Sequence, residues 1–172
     1  MSTAPAISPI RKLQATDQTS HFDCGQPALN QYLQRFAWGN QQGHSAQTYV
    51  ACHGDRVAGF YSLAVGSVAP GAAAPRVVKG APQRPVPVML LARLAVNASH
   101  QGLGLGRALL KDALVRTARA ADIAGIRALL VHAKDEPARD WYLQWEFEPS
   151  PTDPLHLFLL MKDLKAMLPT TP

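Results

Sequence analysis

A glycine-rich turn follows a strand-like apolar run and opens a helix-like segment between Leu90 and Leu110. It reads Gln-Gly-Leu-Gly-Leu-Gly-Arg from Gln101 to Arg107. Glycine lets the backbone adopt positive φ and approach a bulky anion closely. The first amides of a helix have no partner within the helix and lie at the positive end of its dipole. The turn is therefore predicted to bind a pyrophosphate.

The spacing of the glycines distinguishes this turn from two common nucleotide motifs. Gly102, Gly104 and Gly106 alternate, whereas the dinucleotide motif requires Gly-x-Gly-x-x-Gly, and no Gly-Lys-Ser/Thr follows as in a P-loop. The pattern that fits is Gln/Arg-x-x-Gly-x-Gly/Ala, which Gln101, Gly104 and Gly106 satisfy. A purely structural strand-turn-helix is the alternative interpretation.

The surrounding pattern predicts a mixed α/β fold that positions this turn. Gly54-Asp55 is a hairpin signal, Asp135 is a candidate helix cap, and Pro70–Pro87 is predicted to be a mobile loop. We see no repeat and predict one domain over residues 1–172, with helices on the sheet faces. The predicted strands are Ile7–Leu13, Thr48–His53, Val57–Val68, Val88–Val96, Arg127–Ala133 and Leu155–Met161, and the main helices are Ala28–Trp38, Gly104–Ala124 and Asp135–Trp145.

The composition is that of a soluble globular protein. Of 172 residues, 47% are hydrophobic and 17% are charged, enough for a core without staples. Cys24 and Cys52 are too few for a disulfide framework or a cysteine metal site, so we expect no metal and a reducing, cytoplasmic setting. No signal peptide or membrane-length apolar run is visible, and we expect no membrane association.

The net charge of +5 is unevenly distributed along the chain. No acidic residue occurs between Asp55 and Asp112, while seven cations do. Such a segment would attract a polyanion, either coenzyme phosphates or nucleic acid. A solvated basic face, or a surface for an acidic protein, is the alternative. The seven cations are Arg56, Arg76, Lys79, Arg84, Arg93, Arg107 and Lys111.

The turn, together with the strand Leu91–Val96 before it, resembles the coenzyme-A-binding core of GNAT acetyltransferases. The resemblance implies the GNAT fold, an α/β (α+β) arrangement with a mixed, mostly antiparallel sheet and helices on both faces. It also implies acetyl-CoA as the cofactor. In the family the pantetheine arm lies along the strand equivalent to Leu94, Ala95 and Val96, and the diphosphate lies on the turn. The implied diphosphate contacts are Gln101, Gly102, Leu103, Gly104, Leu105, Gly106 and Arg107.

Tyr142 is the candidate general acid. Acetyl transfer from a thioester to an amine requires a proton for the leaving thiolate, and a phenol with a pKa near ~10 is protonated at neutral pH. The resemblance places the family's catalytic tyrosine at Tyr142. The alternative is an aromatic core residue. Two departures accompany it, since Asp140 stands where the family often has asparagine and Glu146-Phe147 where it often has Gly-Phe.

No residue stands out as a general base. His132 and, more weakly, Asp23 are candidates, although a packed strand histidine is an equal interpretation of His132. A lysine amine, with a pKa of about 10.4, needs help to lose its proton, whereas an α-amine near ~8 is already partly neutral. The absence of an evident base therefore favours an α-amino acceptor.

Five further segments are similar to the GNAT toxins of bacterial toxin–antitoxin operons. They are Phe22–Leu33, Thr48–Ala51, Val57–Ala64, Pro85–Val88 and Leu91–Val96, within a similarity that runs from about Phe22 to Phe158. That family acetylates the α-amine of aminoacyl-tRNA and so blocks translation. The resemblance further implies a ribbon-helix-helix antitoxin, operator DNA bound only through the antitoxin complex, and a homodimer. By analogy, tRNA is expected to contact Arg76, Lys79, Arg84 and Arg93.

Three other functions fit parts of the sequence. A GNAT enzyme acting on a small-molecule amine or a protein amine would share the turn and the tyrosine. A non-catalytic acyl-CoA-binding regulator would bind the coenzyme without turnover. A nucleic-acid-binding protein gripping phosphates with its glycine turn is the weakest of the three, because the chain lacks interleaved aromatics and a recognised reading helix.

Overall fold

A single sheet of seven strands organises the protein, in the order β1-β2-β3-β4-β5-β7-β6. The structure is a computed structural model that describes residues 6–80 and 83–169. Pairing is antiparallel for β1–β2, β2–β3, β5–β7 and β6–β7 and parallel for β4–β5, so the sheet is mixed and mostly antiparallel, as expected. The strands are β1 (Arg11–Lys12), β2 (Gln47–His53), β3 (Arg56–Val68), β4 (Val86–Val96), β5 (Ala128–His132), β6 (Glu148–Pro149) and β7 (His156–Leu160).

Six α-helices accompany the strands in the described part of the chain. None of the helices there combines the length and apolarity that crossing a membrane requires. A π-helical turn at Tyr32–Phe36 joins the first two helices, and 3-10 turns occur at Pro70–Ala72 and Ala98–His100. The helices are α1 (Pro27–Gln31), α2 (Ala37–Gln42), α3 (Pro75–Val78), α4 (Leu105–Ala121), α5 (Glu136–Leu143) and α6 (Met161–Ala166).

The contacts divide the chain into two compact units, the first comprising residues 1–64 and 92–113. In this unit β2 and β3 form the predicted hairpin, with Ala51 paired to Gly59 and a register shift before Cys52. Its apolar core includes Phe22 and Phe60, whose rings meet edge to face at 5.5 Å. Gly59 lets α4 approach closely, because a Cβ there would lie 2.9 Å from Leu109 Cδ1.

The second unit comprises residues 65–91 and 114–172. Its parallel pair aligns Val88 with Ala128, and β5 pairs with β7 through Leu130 and Phe158. A second apolar cluster gathers these strands with the chain that precedes β4. Its buried members are Ala73, Ala74, Val77, Val86, Val88, Ala128, Leu130 and Phe158.

Two predicted elements need correction. The prediction of a mobile loop over Pro70–Pro87 is wrong for residues 70–78, because Pro75 begins the short helix α3 and Ala73, Ala74 and Val77 are buried, whereas residues 83–85 are exposed and have no helix or strand. Proline is well tolerated in the first turn of a helix, so it starts this element rather than breaking it. Residues 81 and 82 of that predicted loop lie outside the described residues. The predicted first strand, Ile7–Leu13, is reduced to β1 and an isolated bridge from Ile7 to His53.

Candidate active site

The glycine turn, residues 101–107, belongs to the first unit and leads from β4 into α4. Gly102 and Gly104 have φ of +80° and +86°, which only glycine adopts without strain. Gly106 lies within α4 and has no positive φ, so the need for a positive φ does not explain a glycine there. The Ala108 N–H donates to the Gly104 carbonyl at 3.1 Å. The amides of Leu105 and Gly106 precede this bond, at the positive end of the helix dipole.

Side-chain hydrogen bonds hold this turn in place. The Gln101 amide Nε2 donates to the Val96 carbonyl at 2.9 Å and to the Cys24 carbonyl at 3.3 Å. The Asn97 side chain accepts the Asp23 N–H at 2.9 Å and donates to Ser99 Oγ at 2.7 Å. The Gln101 side chain thus fastens the turn to the end of β4. Sequence reasoning missed Asn97, since its partner is 74 residues away.

The pantetheine strand predicted at Leu94–Val96 forms the last part of β4. Ala95 is buried, while Leu94 and Val96 are half-buried. The side chains there are apolar, as a strand that binds a ligand through its backbone requires. The turn and this strand together offer positive φ, helix-start amides and an apolar edge, which are the features that fit a pyrophosphate on a long arm.

Tyr142 belongs to the second unit, in the last turn of α5. Asp135 caps α5 as predicted, with its carboxylate accepting the Ala138 N–H at 2.9 Å. The Tyr142 ring is buried and packs edge to face against Trp141 and Phe147, at 4.9 and 5.6 Å between ring centres. Burial raises the pKa of Tyr142 above its ordinary value of 10.0, so its phenol is protonated at neutral pH.

Asp140 and Glu146, the two departures from the family pattern near Tyr142, have different structural consequences. The Asp140 carboxylate accepts from the neighbouring Arg139 guanidinium at 3.2 Å and is largely exposed. Glu146 has a φ of +67°, in the region that favours glycine. This conformation turns the chain after α5 so that Phe147 packs against Tyr142. A glycine at this position would adopt the same φ without strain.

The two candidate bases are engaged by neighbours. The His132 ring stacks on the His156 ring, with 3.9 Å between the ring centres. Two effects lower the pKa of His132: mainly its burial away from water and, to a lesser extent, the charge of His156. The Asp23 carboxylate accepts from the Gly25 N–H at 2.9 Å and the Asn30 side chain at 3.0 Å, and these bonds lower the pKa of Asp23. His132 is thus a neutral imidazole, and Asp23 supports the local loop.

The four cations predicted to contact tRNA lie in different settings. Arg76 is held by two carboxylates, with nitrogen–oxygen distances of 2.7 Å to Glu148 and 2.6 Å to Asp163. The Arg93 guanidinium lies 3.7 Å above the Tyr32 ring and is half-buried. The predicted loop Pro70–Pro87 includes Arg76, Lys79 and Arg84, and that prediction is wrong for Arg76, which lies in α3.

Lys79 and Arg84 remain exposed and border two cavities of the second unit. Arg84 and Arg127 line one of about 420 Å³. Lys79, Arg127 and Lys162 line the other, of about 690 Å³. The sequence missed Arg127 and Lys162 because both lie outside the acid-free segment, yet the fold places them beside Lys79.

A known protein family and several individual proteins are similar to this chain. The sequence matches the model of the Acetyltransferase (GNAT) family over residues 9–147. A tRNA-acetylating toxin of Mycobacterium tuberculosis (strain ATCC 25618 / H37Rv) is 48% identical over 158 residues, which are 92% of this chain and 95% of the toxin.

Solved structures match the fold over nearly its whole length. A tyrosine-to-phenylalanine mutant of KacT has a TM-score of 0.87 at 26% identity, with 93% of this chain and 98% of KacT covered. AtaT complexed with acetyl-methionyl-tRNAfMet has a TM-score of 0.85 at 27% identity, with 92% and 98% covered. A mutant AtaT bound to acetyl-CoA and to the C-terminus of the antitoxin AtaR has a TM-score of 0.80 at 26% identity, with 92% and 96% covered.

Proposed function

Because the chain belongs to the GNAT acetyltransferase family, we propose that it acetylates the α-amine of aminoacyl-tRNA and so blocks translation. The observation that carries this proposal is the 48% identity to a tRNA-acetylating toxin over nearly the full length of both chains. A peptidyl-transfer reaction needs that amine as its nucleophile. An acetylated aminoacyl-tRNA therefore cannot accept a growing peptide.

Acetyl-CoA supplies the acetyl group as a thioester in this family. We assign its diphosphate to the amides of Gly102–Arg107 and its pantetheine arm to the backbone of Leu94–Val96. The positive φ of Gly102 and Gly104 supports this assignment, because it turns successive amides toward one anion. Gln101 acts by holding the turn against β4 through its side chain.

Tyr142 is assigned as the general acid. The amine nitrogen forms a bond to the thioester carbonyl carbon, the carbon–sulfur bond breaks, and the leaving sulfur takes the phenolic proton. The proton lost by the amine passes to solvent or to a neutral imidazole such as His132, and a proton from solvent restores the phenol. The Tyr142 phenol is protonated at neutral pH, as a general acid must be before it can donate.

The test is to incubate the protein with labelled acetyl-CoA and a pool of charged tRNA. We expect label on the α-amine of the esterified amino acid, released with it by mild alkali, and none on uncharged tRNA. The variant Tyr142→Phe should lower kcat roughly 100-fold or more. Its thermal stability should be unchanged, because within the described residues nothing hydrogen-bonds the phenol oxygen of Tyr142.

The pH profile of the wild-type enzyme provides a second readout. A general acid is lost as the pH rises through its pKa, so no basic limb from Tyr142 should occur below pH 10. Label on free amines or on proteins, with charged tRNA unlabelled, would contradict the proposed substrate. Full activity of Tyr142→Phe would contradict only the assignment of the acid.

The exposed cations Lys79 and Arg84 are our proposed contacts to tRNA phosphates, with Lys162 beside Lys79. Arg93 is a further candidate contact to tRNA, and its guanidinium stacks on the Tyr32 ring. Arg76 is a weak one, because its charge is already paired. Arg127 is a positioning residue. Its guanidinium donates to the carbonyls of Val77 and Lys79.

Neutralising both exposed cations tests this surface. The double variant Lys79→Gln/Arg84→Gln should weaken tRNA binding and reduce the slope of log K against log salt by roughly 0.7 to 0.9 for each phosphate that the variant no longer neutralises. The matched control Lys12→Gln/Arg119→Gln removes the same charge elsewhere and should leave more of the slope intact. Equal slopes for the two double variants would remove Lys79 and Arg84 from the interface.

The cellular partners follow from the same proposal. We infer a cytoplasmic toxin, because its substrate is charged tRNA, and a cognate antitoxin of the ribbon-helix-helix type. The AtaT structure with the AtaR C-terminus supports an antitoxin that binds the toxin directly. Operator DNA would be bound only through that complex. A homodimer is the oligomeric state that the family resemblance supports.

A further inference from the structure

A cavity of about 500 Å³ in the first unit is lined mainly by groups that carry or can acquire positive charge. It lies where the end of β2, the start of β3 and the chain after β4 come together. No carboxylate is among its lining residues. They are His21, His53, Arg56, Val57, Asn97, Ser99 and His100.

Three imidazoles line this cavity and are only partly hydrogen-bonded. The rings of His53 and His100 have their centres 5.3 Å apart. His21 Nε2 lies 3.3 Å from the Val57 carbonyl oxygen, and His100 Nδ1 lies 3.1 Å from Ser99 Oγ. Each of these two rings therefore retains a second nitrogen for another ligand. Arg56 is exposed, and no carboxylate in residues 6–80 or 83–169 pairs with it.

The acidic residues next to the cavity in sequence are already occupied. Asp55, at the hairpin turn, accepts from the Gln18 side chain at 2.9 Å. Asp23 accepts from Gly25 and Asn30, as described above. Neither carboxylate forms an ion pair with a cation of the cavity within the described residues. The guanidinium and the protonatable imidazoles that line the cavity are complementary to an anion. Within the described chain, no three His, Cys, Asp or Glu residues are arranged to hold a metal ion.

We propose that this cavity binds a phosphate group of a nucleotide ligand. Imidazolium and guanidinium N–H groups form strong, charge-assisted hydrogen bonds to phosphate oxygens. His100 directly precedes Gln101, the first residue of the turn assigned to the coenzyme diphosphate. The cavity and the turn are therefore adjoining parts of the first unit. The choice of a nucleotide rests on the proposed function, whereas the phosphate chemistry rests on the cavity itself.

Two sources could supply this phosphate, the ribose phosphate of coenzyme A and a backbone phosphate of the RNA. Both would accept hydrogen bonds from the same imidazolium and guanidinium groups of the cavity. The contribution of the imidazoles should strengthen as the pH falls from 8 to 6, because histidine is the side chain that gains its charge in this range. A terminal phosphate monoester loses part of its charge over the same range. The difference between the wild type and His53→Gln at each pH therefore reports on the imidazole.

The first experiment titrates the wild-type protein with adenosine 3′,5′-bisphosphate and with 5′-ADP at pH 6 and pH 8, with the histidine ring signals followed by NMR. We expect the bisphosphate to shift the signals of His53 and His100, and to favour the wild type over His53→Gln more strongly at pH 6 than at pH 8. The variant Arg56→Gln should bind it about tenfold more weakly, as removal of one charge-assisted hydrogen bond implies. Lys12→Gln removes one charge outside the cavity and should bind it as the wild type does.

The second experiment measures the affinity of the same variants for an uncharged acceptor-stem RNA duplex. A preference for the bisphosphate over 5′-ADP that Arg56→Gln abolishes assigns the cavity to the coenzyme phosphate. No such preference, with RNA binding weakened by Arg56→Gln and His53→Gln, assigns it to the RNA. The proposal is overturned if neither ligand distinguishes these variants from Lys12→Gln. Because neither experiment measures acetyl transfer, an error in the proposed substrate leaves the cavity testable.

Discussion

Glu146 holds a backbone conformation that most residues with a Cβ avoid. Its φ of +67° brings Cβ close to the following carbonyl, at a cost of roughly 1–2 kcal/mol relative to glycine. The sequence departure at this position predicts an effect on the helix end rather than on the chemistry. Its physical basis is the turn that carries the chain from α5 to Phe147 beside Tyr142.

Glu146→Gly should therefore stabilise the protein. Glycine relieves the strain but makes the unfolded chain more flexible, so we expect a net gain of about 0.5–1 kcal/mol in the free energy of unfolding. Urea denaturation measures it. Glu146→Ala retains the Cβ and is the matched control, for which no gain is expected. An equal gain in both variants would show that the glutamate side chain, rather than φ, is responsible.

Single residues were predictable from the sequence where the cause is local. Asp135 caps α5 as its type and position indicate, and the glycines of the turn take positive φ at two of the three positions. Long-range partners were not predictable. The ion pairs of Arg76 join residues 72 and 87 positions apart, and nothing near Arg76 in sequence signals them.

At the scale of elements, the periodic segments were the most predictable. The β2–β3 hairpin, the long helix α4 and the strands β4, β5 and β7 lie where the hydrophobic pattern placed them, with ends shifted by a few residues. The segment before β4 was misjudged because proline, alanine and glycine are also frequent in loops. Here the small alanines pack into the core of the second unit.

The turn between β4 and α4 offers a test at this scale. Gly104→Ala places a Cβ at a φ of +86°, where space is open but the conformation is strained. We expect a loss of about 1–2 kcal/mol of stability and a raised KM for acetyl-CoA, because relaxing the strain moves the amides.

The matched control is Gly39→Ala in α2, where a Cβ also meets no atom within 4 Å. Since Gly39 is in a helix without positive φ, alanine should stabilise it by about 0.5–1 kcal/mol and leave KM unchanged. Calorimetry and initial rates measure both. A normal KM for Gly104→Ala would show that the turn tolerates a shift without losing the coenzyme.

At the scale of the whole molecule, we propose that residues 1–172 form one cooperative domain. Two compact units are distinguishable by their internal contacts, but β3 and β4 each contribute residues to both. A strand cannot unfold in one half without exposing hydrogen-bonding groups in the other. The sequence predicted one domain from its length and the absence of an internal repeat, and it carried no sign of the two units.

Calorimetry tests this proposal directly. We expect a single unfolding transition with equal calorimetric and van't Hoff enthalpies. A saturating concentration of acetyl-CoA should raise the midpoint of that one transition. Two resolved transitions, with only the first-unit transition raised by the coenzyme, would instead establish separate folding units.

Gly59 connects the packing of the first unit to the position of the turn assigned to the coenzyme. An alanine there would crowd Leu109 and Leu105, whose methyl carbons lie 2.9 and 3.1 Å from the new carbon. Both methyl carbons are the ends of flexible side chains. The first turn of α4 can therefore shift slightly, and it need not unfold. The amides assigned to the coenzyme belong to that turn. A single buried methyl group at Gly59 is thus expected to displace those amides and to raise the KM for acetyl-CoA.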